Sequence, residues 1–216
     1  MYKRQIYTSP KGYLKTLFAE TRKVGGLCVA DEVQGGFGRL GAHFWGFEFD
    51  NVIPDIVTMG KPMGNGHPLA AVVTRPEIAQ VLAEEAGYFN TFGGNPVSCA
   101  AGLAVLDVIE KEGLQENALK IGQYLKDSID KLRDSQPKLG ELHGSGLLLG
   151  LDINKPDGEP DPELAESIMN HMRENGVLIG TTGPHSQTLK IRPPLVFEKE
   201  HADILVETLI RALDEM

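Results

Sequence analysis

Two cysteines in 216 residues are too few for a disulfide framework. Cys28 falls in a short apolar run and Cys99 just after a predicted helix start, so both read as small packing residues of a reducing compartment. No apolar stretch approaches the roughly 20 residues of a membrane-spanning helix, and Met1-Tyr2-Lys3-Arg4-Gln5 has no apolar core behind it, against a secretory signal. A soluble, cytoplasmic chain without a membrane partner is therefore expected. Basic residues are also in deficit, with 21 Lys and Arg against 30 Asp and Glu and a formal net charge of −9. Clustered cations normally neutralise the phosphates of nucleic acid, so no such partner is expected, and no metal site is expected either.

What the chain does have is punctuation, 25 Gly and 13 Pro, between periodic segments. Tyr13, Leu14, Leu17 and Phe18 recur at helical spacing between Gly12 and Lys23. Leu27-Cys28-Val29-Ala30 follows as a predicted buried strand that stops at Asp31-Glu32. Pro54-Asp55-Ile56-Val57-Thr58-Met59 reads the same way and stops at Gly60-Lys61. Only seven residues, Pro62 to Pro68, separate Lys61 from the run Leu69-Ala70-Ala71-Val72-Val73-Thr74. A parallel return needs about a dozen residues, so that strand is expected to run antiparallel. Between the first two strands, Gly35 to Asn51 is a loop whose Phe37, Phe44, Trp45 and Phe47 form a small core of its own more readily than they contact a substrate. Thr91-Phe92-Gly93-Gly94-Asn95-Pro96 opens a helix, and Leu103 to Arg133 reads as two helices interrupted near Gly113. Past Gln136-Pro137 the pattern becomes α+β: a strand over Gly144–Asp152, a helix over Glu163–Glu174, strands at Val177–Ile179 and Leu189–Ile191, and a helix over Glu200–Leu213. Strands and helices that alternate in the first part make the chain α/β, with a mostly parallel sheet there.

In an open α/β sheet, ligands bind outside the carboxyl ends of the strands, where Asp31 and Lys61 are both expected. An Asp after a strand is usually a turn or cap residue and a lone Lys a solvated charge. Lys61, however, has no carboxylate near it in sequence, and the glycines around it allow backbone to approach a ligand closely. An ammonium without a partner in a partly apolar site loses its proton more readily, and a neutral amine attacks aldehydes. Pyridoxal phosphate needs such a pair: a lysine to hold it as a Schiff base and an acid to keep its pyridine nitrogen protonated. His67, beside Pro68 in a tight connection, reads as structural rather than catalytic.

Ala30-Asp31-Glu32-Val33-Gln34, Gly36-Phe37-Gly38-Arg39, Pro54-Asp55-Ile56-Val57-Thr58-Met59-Gly60-Lys61 and Thr91-Phe92-Gly93-Gly94-Asn95-Pro96 together resemble the class III, fold type I, pyridoxal-phosphate-dependent aminotransferases. The resemblance runs from about Gly12 to the C-terminus. It implies Lys61 as the Schiff-base lysine, Asp31 as the partner of the pyridine nitrogen, Val33 packed on one ring face and Gln34 bonded to the ring's phenolic oxygen. Thr91 would reach the phosphate of a cofactor held mainly by the other subunit of a homodimer. It further implies part of a large cofactor domain over residues 1–112, a connecting helix over 113–136 and a small α+β domain over 137–216. The chain is about half as long as that family's complete fold and reads as its C-terminal portion.

Substrate choice turns on Lys190-Ile191-Arg192-Pro193-Pro194-Leu195. Many class III aminotransferases carry an Arg where Lys190 stands, and its planar fork grips the substrate carboxylate as the point charge of Lys does not. Lys here is similar to the phospho-lyase branch, which acts on phosphoethanolamine or phosphohydroxylysine. Lys190 and Arg192 alternate onto one strand face, where either approaches substrate or both remain solvated at a strand edge. A family member usually has Arg in place of His143. Two outcomes share their first steps: transfer of an amino group from an amine or amino acid to a 2-oxo acid, and elimination of phosphate. A truncated, non-catalytic fragment is the third reading.

Overall fold

The computed structural model describes Ile6 and residues 9–216, so the reading of Met1–Gln5 lies outside the described residues. The chain divides into two compact units, one of Ser9–Gly38 and His43–Leu114, the other of Arg39–Ala42 and Gln115–Met216 with Ile6.

The first unit begins with helix α1 (Tyr13–Lys23), whose N-terminus is capped from a distance. The Asp50 carboxylate accepts the Gly12 and Leu14 N–H groups, each at 2.7 Å, satisfying donors that a helix start leaves free. Strands β1 (Val29–Asp31) and β2 (Ile56–Met59) pair in parallel, and β3 (Ala71–Thr74) adds antiparallel to β2, as the short Pro62–Pro68 connection requires. Burial differs from the expectation: Cys28 is buried, but Val29 is 54% exposed because β1 is the edge of a sheet of only three strands. Asp55, itself buried, ties the sheet to its surroundings. It accepts the Cys28 N–H at 2.8 Å and lies 3.3 Å from Arg22 and 3.4 Å from Arg75. The Cys28 N–H first, and then the two guanidinium groups, hold its carboxyl below the usual range.

Helix α2 (Pro76–Ala86) was not anticipated, although Pro76 sits in its first turn. Helix α3 (Pro96–Lys111) starts where the turn cluster predicts. The Asn95 side chain accepts the Ser98 N–H at 3.0 Å, and Gly113 at φ +61° separates α3 from α4 (Leu114–Arg133). The aromatic loop forms the small core expected of it. The Phe37, Phe44 and Trp45 ring centroids lie 4.9 to 5.5 Å apart, and the indole packs where a Cβ on Gly36 would be only 2.7 Å away. Buried Glu32 holds this loop by accepting the Gly46 and Phe47 N–H groups at 2.9 and 3.0 Å. Its carboxyl is nevertheless pushed up, because the cost of burial outweighs those two bonds.

The second unit is an antiparallel sheet covered by helices. Strands β4 (Leu139–Ser145), β5 (Leu148–Ile153), β6 (Gly180–Thr182) and β7 (Thr188–Ile191) lie in the order β4-β5-β7-β6. The single strand expected over Gly144–Asp152 is instead a hairpin, because Gly144 at φ +100° and Gly146 at φ +53° reverse the chain. Likewise Val177–Ile179 precedes a strand that starts at Gly180. Leu149, Leu151, Ile153, Leu189 and Ile191 alternate onto one face. They join Leu125 and Ile129 of α4, Ile168 and Met172 of α5 (Pro162–Glu174), and Leu205 and Leu209 of α6 (Lys199–Asp214) in one core. Polar residues carry a separate network: the His143 ring lies 3.0 Å from Asp152, and Thr188 donates to Asp152 at 2.5 Å. Among the described residues, no helix is long and apolar enough to cross a membrane, and no group of three or more side chains is placed to hold a metal ion.

Candidate active site

Parallel pairing of β1 with β2 puts Asp31 opposite Thr58, three residues before Lys61. Asp31 ends β1 and Lys61 follows the end of β2, so both leave the sheet at the carboxyl edge of adjacent parallel strands. The Asp31 Oδ1 accepts the Val33 N–H at 3.2 Å and is 3.5 Å from the Thr58 hydroxyl. Neither bond uses Oδ2. Thr58 was not singled out in the sequence, since its place beside Asp31 depends on strand register. Lys61 is exposed and makes no hydrogen bond or ion pair among the described residues. Gly60 lies between them: a Cβ there would sit 3.9 and 4.0 Å from the two Val33 methyl carbons, so Val33 overhangs the backbone that leads to Lys61.

The turn after Lys61 is tight. Met63 N–H donates to Gly60 O at 2.6 Å and His67 N–H to Gly64 O at 2.9 Å, while a Cβ on Gly64 would collide with the His67 carbonyl at 2.1 Å. The turn rests on α3: Ser98 and Gly102, one helical turn apart, are both buried, and a Cβ on Gly102 would meet Leu69 at 2.7 Å. His67 meets Ser98 at 2.8 Å, which agrees with a structural reading of this histidine. Thr91 lies in the exposed turn before α3, and Gln34 is half-buried just past β1. Asp31, Val33, Gln34, Lys61 and Thr91 thus all belong to the first unit.

Lys190 and Arg192 belong to the second. Leu189 and Ile191 are buried at 1% and 2%, so alternation turns Lys190 to the other face of β7, and Arg192 follows directly past the end of the strand. The residues paired with Lys190 on both sides are glycines, Gly150 and Gly180; beside Gly150 the space is taken by Thr188 and Ile6, while a Cβ on Gly180 would meet only the Lys190 stem, at 4.0 Å. Lys190 and Arg192 line a cavity of about 600 Å³ with Val177, Ile179, Phe197 and Ile204. Nearby in the same unit is Arg39, whose guanidinium donates to Leu147 O at 3.0 Å and Pro193 O at 2.7 Å. Burial, and then the like charge of Arg192, lower it to about 10, still a cation at neutral pH.

The arrangement defines a class: an α/β chain that presents an acid and an unpaired amine at the carboxyl ends of neighbouring parallel strands. Residues 6–213 match the family model described as Aminotransferase class-III, and the chain belongs to that family, whose members depend in general on pyridoxal phosphate. It is 52% identical over 207 residues to the mitochondrial alanine–glyoxylate aminotransferase 2 homolog 2 of Arabidopsis thaliana, covering 95% of this chain and 43% of that protein. Against the Homo sapiens mitochondrial alanine–glyoxylate aminotransferase 2, identity is 47% over 209 residues, or 95% of this chain and 41% of the other. A phospholyase from Arthrobacter, solved with phosphoethanolamine, superposes with a TM-score of 0.93 at 45% identity, covering 97% of this chain and 50% of that one. A Bacillus anthracis aminotransferase gives 0.89 at 33% identity, with 97% and 49% covered. The architecture is that of the fold type I aminotransferases, and the chain spans about half the length of these relatives.

Proposed function

We propose that this chain carries the lysine-bearing part of a pyridoxal-phosphate-dependent aminotransferase site, which moves an amino group from an amine or amino acid to a 2-oxo acid. The observation behind the reading is the placement of Asp31 and unpaired Lys61 at the ends of adjacent parallel strands. Bound pyridoxal phosphate supplies the electron sink that makes the carbon next to the amine acidic. Asp31, fixed through Oδ1 by the Val33 N–H, would use Oδ2 to hold the proton on the pyridine nitrogen. Lys61 would hold the cofactor through Nζ, and its amine, when free, would serve as the general base for the proton on that carbon. Val33 would pack on the ring, Gln34 would bond its phenolic oxygen, and Thr91 would reach the phosphate of a cofactor held mainly by the other subunit of a homodimer. The cytoplasmic placement is likewise a proposal, since the Arabidopsis and human relatives are named as mitochondrial.

A second reading is favoured by Lys190 standing between two glycines and by the phospholyase superposition. Here Lys190 and Arg192 bind a substrate phosphate, as in phosphoethanolamine or phosphohydroxylysine, and phosphate is expelled from the neighbouring carbon.

Incubation of the chain with pyridoxal phosphate, followed by borohydride reduction and peptide mapping, tests the anchor: the label is expected on Lys61 ahead of every other lysine, and a scattered label removes the assignment. The reaction itself is tested on a protein completed to family length. Amino transfer to pyruvate supports the first reading, and phosphate release from phosphoethanolamine without transfer replaces it with the second. The 216-residue chain alone is expected to show little or no turnover.

A further inference from the structure

The hydrogen bond between His67 and Ser98 is one link of a side-chain network that runs through Asn95. Asn95 accepts the Ser98 N–H through its Oδ1, so its Nδ2 is the donor that reaches Ser98 Oγ at 3.0 Å and Phe92 O at 2.9 Å. Ser98 Oγ accepts from Asn95 and also meets His67 Nε2 at 2.8 Å, a bond that either partner donates according to the imidazole tautomer. This is not a nucleophilic pair. Ser98 is 7% exposed and committed to the first turn of α3, and no carboxylate orients the imidazole among the described residues.

We infer that His67 and Ser98 form a positioning pair that locks the turn bearing Lys61 onto the start of α3, next to the turn bearing Thr91. The bond closes a loop of contacts. From Lys61 the turn runs through Gly64 to His67, crosses to Ser98, passes to Asn95, and returns through Phe92 O to the residue after Thr91. The packing of Gly102 against Leu69 one helical turn further on holds the same two segments in register. Without the bond, the turn keeps its internal N–H to carbonyl contacts and Lys61 stays attached to β2. What it loses is the fixed offset between the amine at position 61 and the α3 turn. The effect is therefore on where Lys61 sits rather than on whether the unit folds. The pair acts through Lys61 and touches neither cofactor nor substrate, and the inference rests on the reading of Lys61 as the cofactor anchor.

The test uses the full chain and its His67→Leu, His67→Gln, Ser98→Ala and His67→Leu/Ser98→Ala forms. Pyridoxal phosphate is titrated, trapped with borohydride and quantified at Lys61 by peptide mapping, alongside thermal unfolding of the unloaded proteins. His67→Leu and Ser98→Ala are expected to weaken loading at Lys61 about tenfold, the cost of one buried hydrogen bond. The double variant is expected to be no worse than either single one, and His67→Gln, which restores a side-chain hydrogen-bonding group, to recover to within about threefold of the parent. Melting midpoints should fall by less than about 5 °C throughout. Unchanged loading in the single variants, a glutamine as poor as leucine, or losses that simply follow the melting midpoint would each overturn the pair. If the parent itself traps no label at Lys61, the proposed cofactor anchor fails, and the positioning role falls with it.

Discussion

The two sheets of this chain differ in how much of themselves they bury. In the antiparallel sheet of the second unit, Leu149, Leu151 and Ile153 are fully buried beneath three helices. In the three-stranded sheet of the first unit, no strand residue is buried, and Val29, Val72 and Val73 are 54%, 64% and 56% exposed. Apolar burial is the main stabilising term in folding. The second unit therefore carries most of the cohesion, while the residues proposed to hold the cofactor ride on the less covered one.

Truncation experiments would break that contrast if it is wrong. Leu151→Ala is expected to cost about 2–5 kcal/mol through the cavity it opens, whereas Val72→Ala on the open sheet should cost less than about 0.5 kcal/mol, both read from urea unfolding. Equal losses would mean that the open sheet is covered in solution. Next in size is Gly146→Ala. Its φ of +53° disfavours a side chain, and the new Cβ would lie 2.4 Å from the Arg39 carbonyl, part of a backbone that cannot yield cheaply. A loss of about 2 kcal/mol or more is expected, against about 1 kcal/mol for Gly158→Ala, where φ is +88° but the space is open.

Acid sharpens the comparison differently. The folded pKa of Asp55 is depressed, so the stability it contributes is present above its unfolded value of about 3.9 and is lost as pH falls through the folded one. Asp55→Asn should flatten the acid-side decline of the melting midpoint. Glu32 is raised by burial and works in the opposite sense, so stability falls as pH climbs from its ordinary value through the raised one. Glu32→Gln should remove that fall. Smallest of all, Lys111→Ala breaks only an exposed 2.7 Å pair with Asp107 and should shift stability by less than about 0.5 kcal/mol in the same urea assay.

Where the candidate residues sit in the fold was largely legible, because they stand where an apolar pattern stops. The apolar runs ending at Asp31 and Lys61 gave both strands, and the short proline-bounded link to Leu69 gave the reversed direction of β3. Gly113 marked a helix break because few other residues adopt its conformation. What escaped was set by contacts across space. The place of Thr58 beside Asp31 depends on register, and that of Ser98 against His67 on how a helix docks. The hairpin was hidden because the turn residue Leu147 continues directly into the apolar run of β5, so Gly144, Ser145 and Gly146 read as the opening of that strand rather than as the end of another. Helix α2 is short, and its Val81 and Leu82 are exposed at 59% and 53%, so its apolar residues mark no buried stripe.

The segment Arg39–Ala42 belongs with the second unit, although its neighbours on both sides, Gly38 and His43, belong with the first. Arg39 O accepts the Leu147 N–H at 2.9 Å, and Leu40 O accepts the Ser145 hydroxyl at 2.9 Å. The chain is thus threaded rather than strung. A protease nick at the Leu114–Gln115 junction would not release an intact C-terminal module, because four residues of its wall would depart with the other product. Expressed from Gln115 onward, that module would lack the guanidinium that donates to the Leu147 and Pro193 carbonyls.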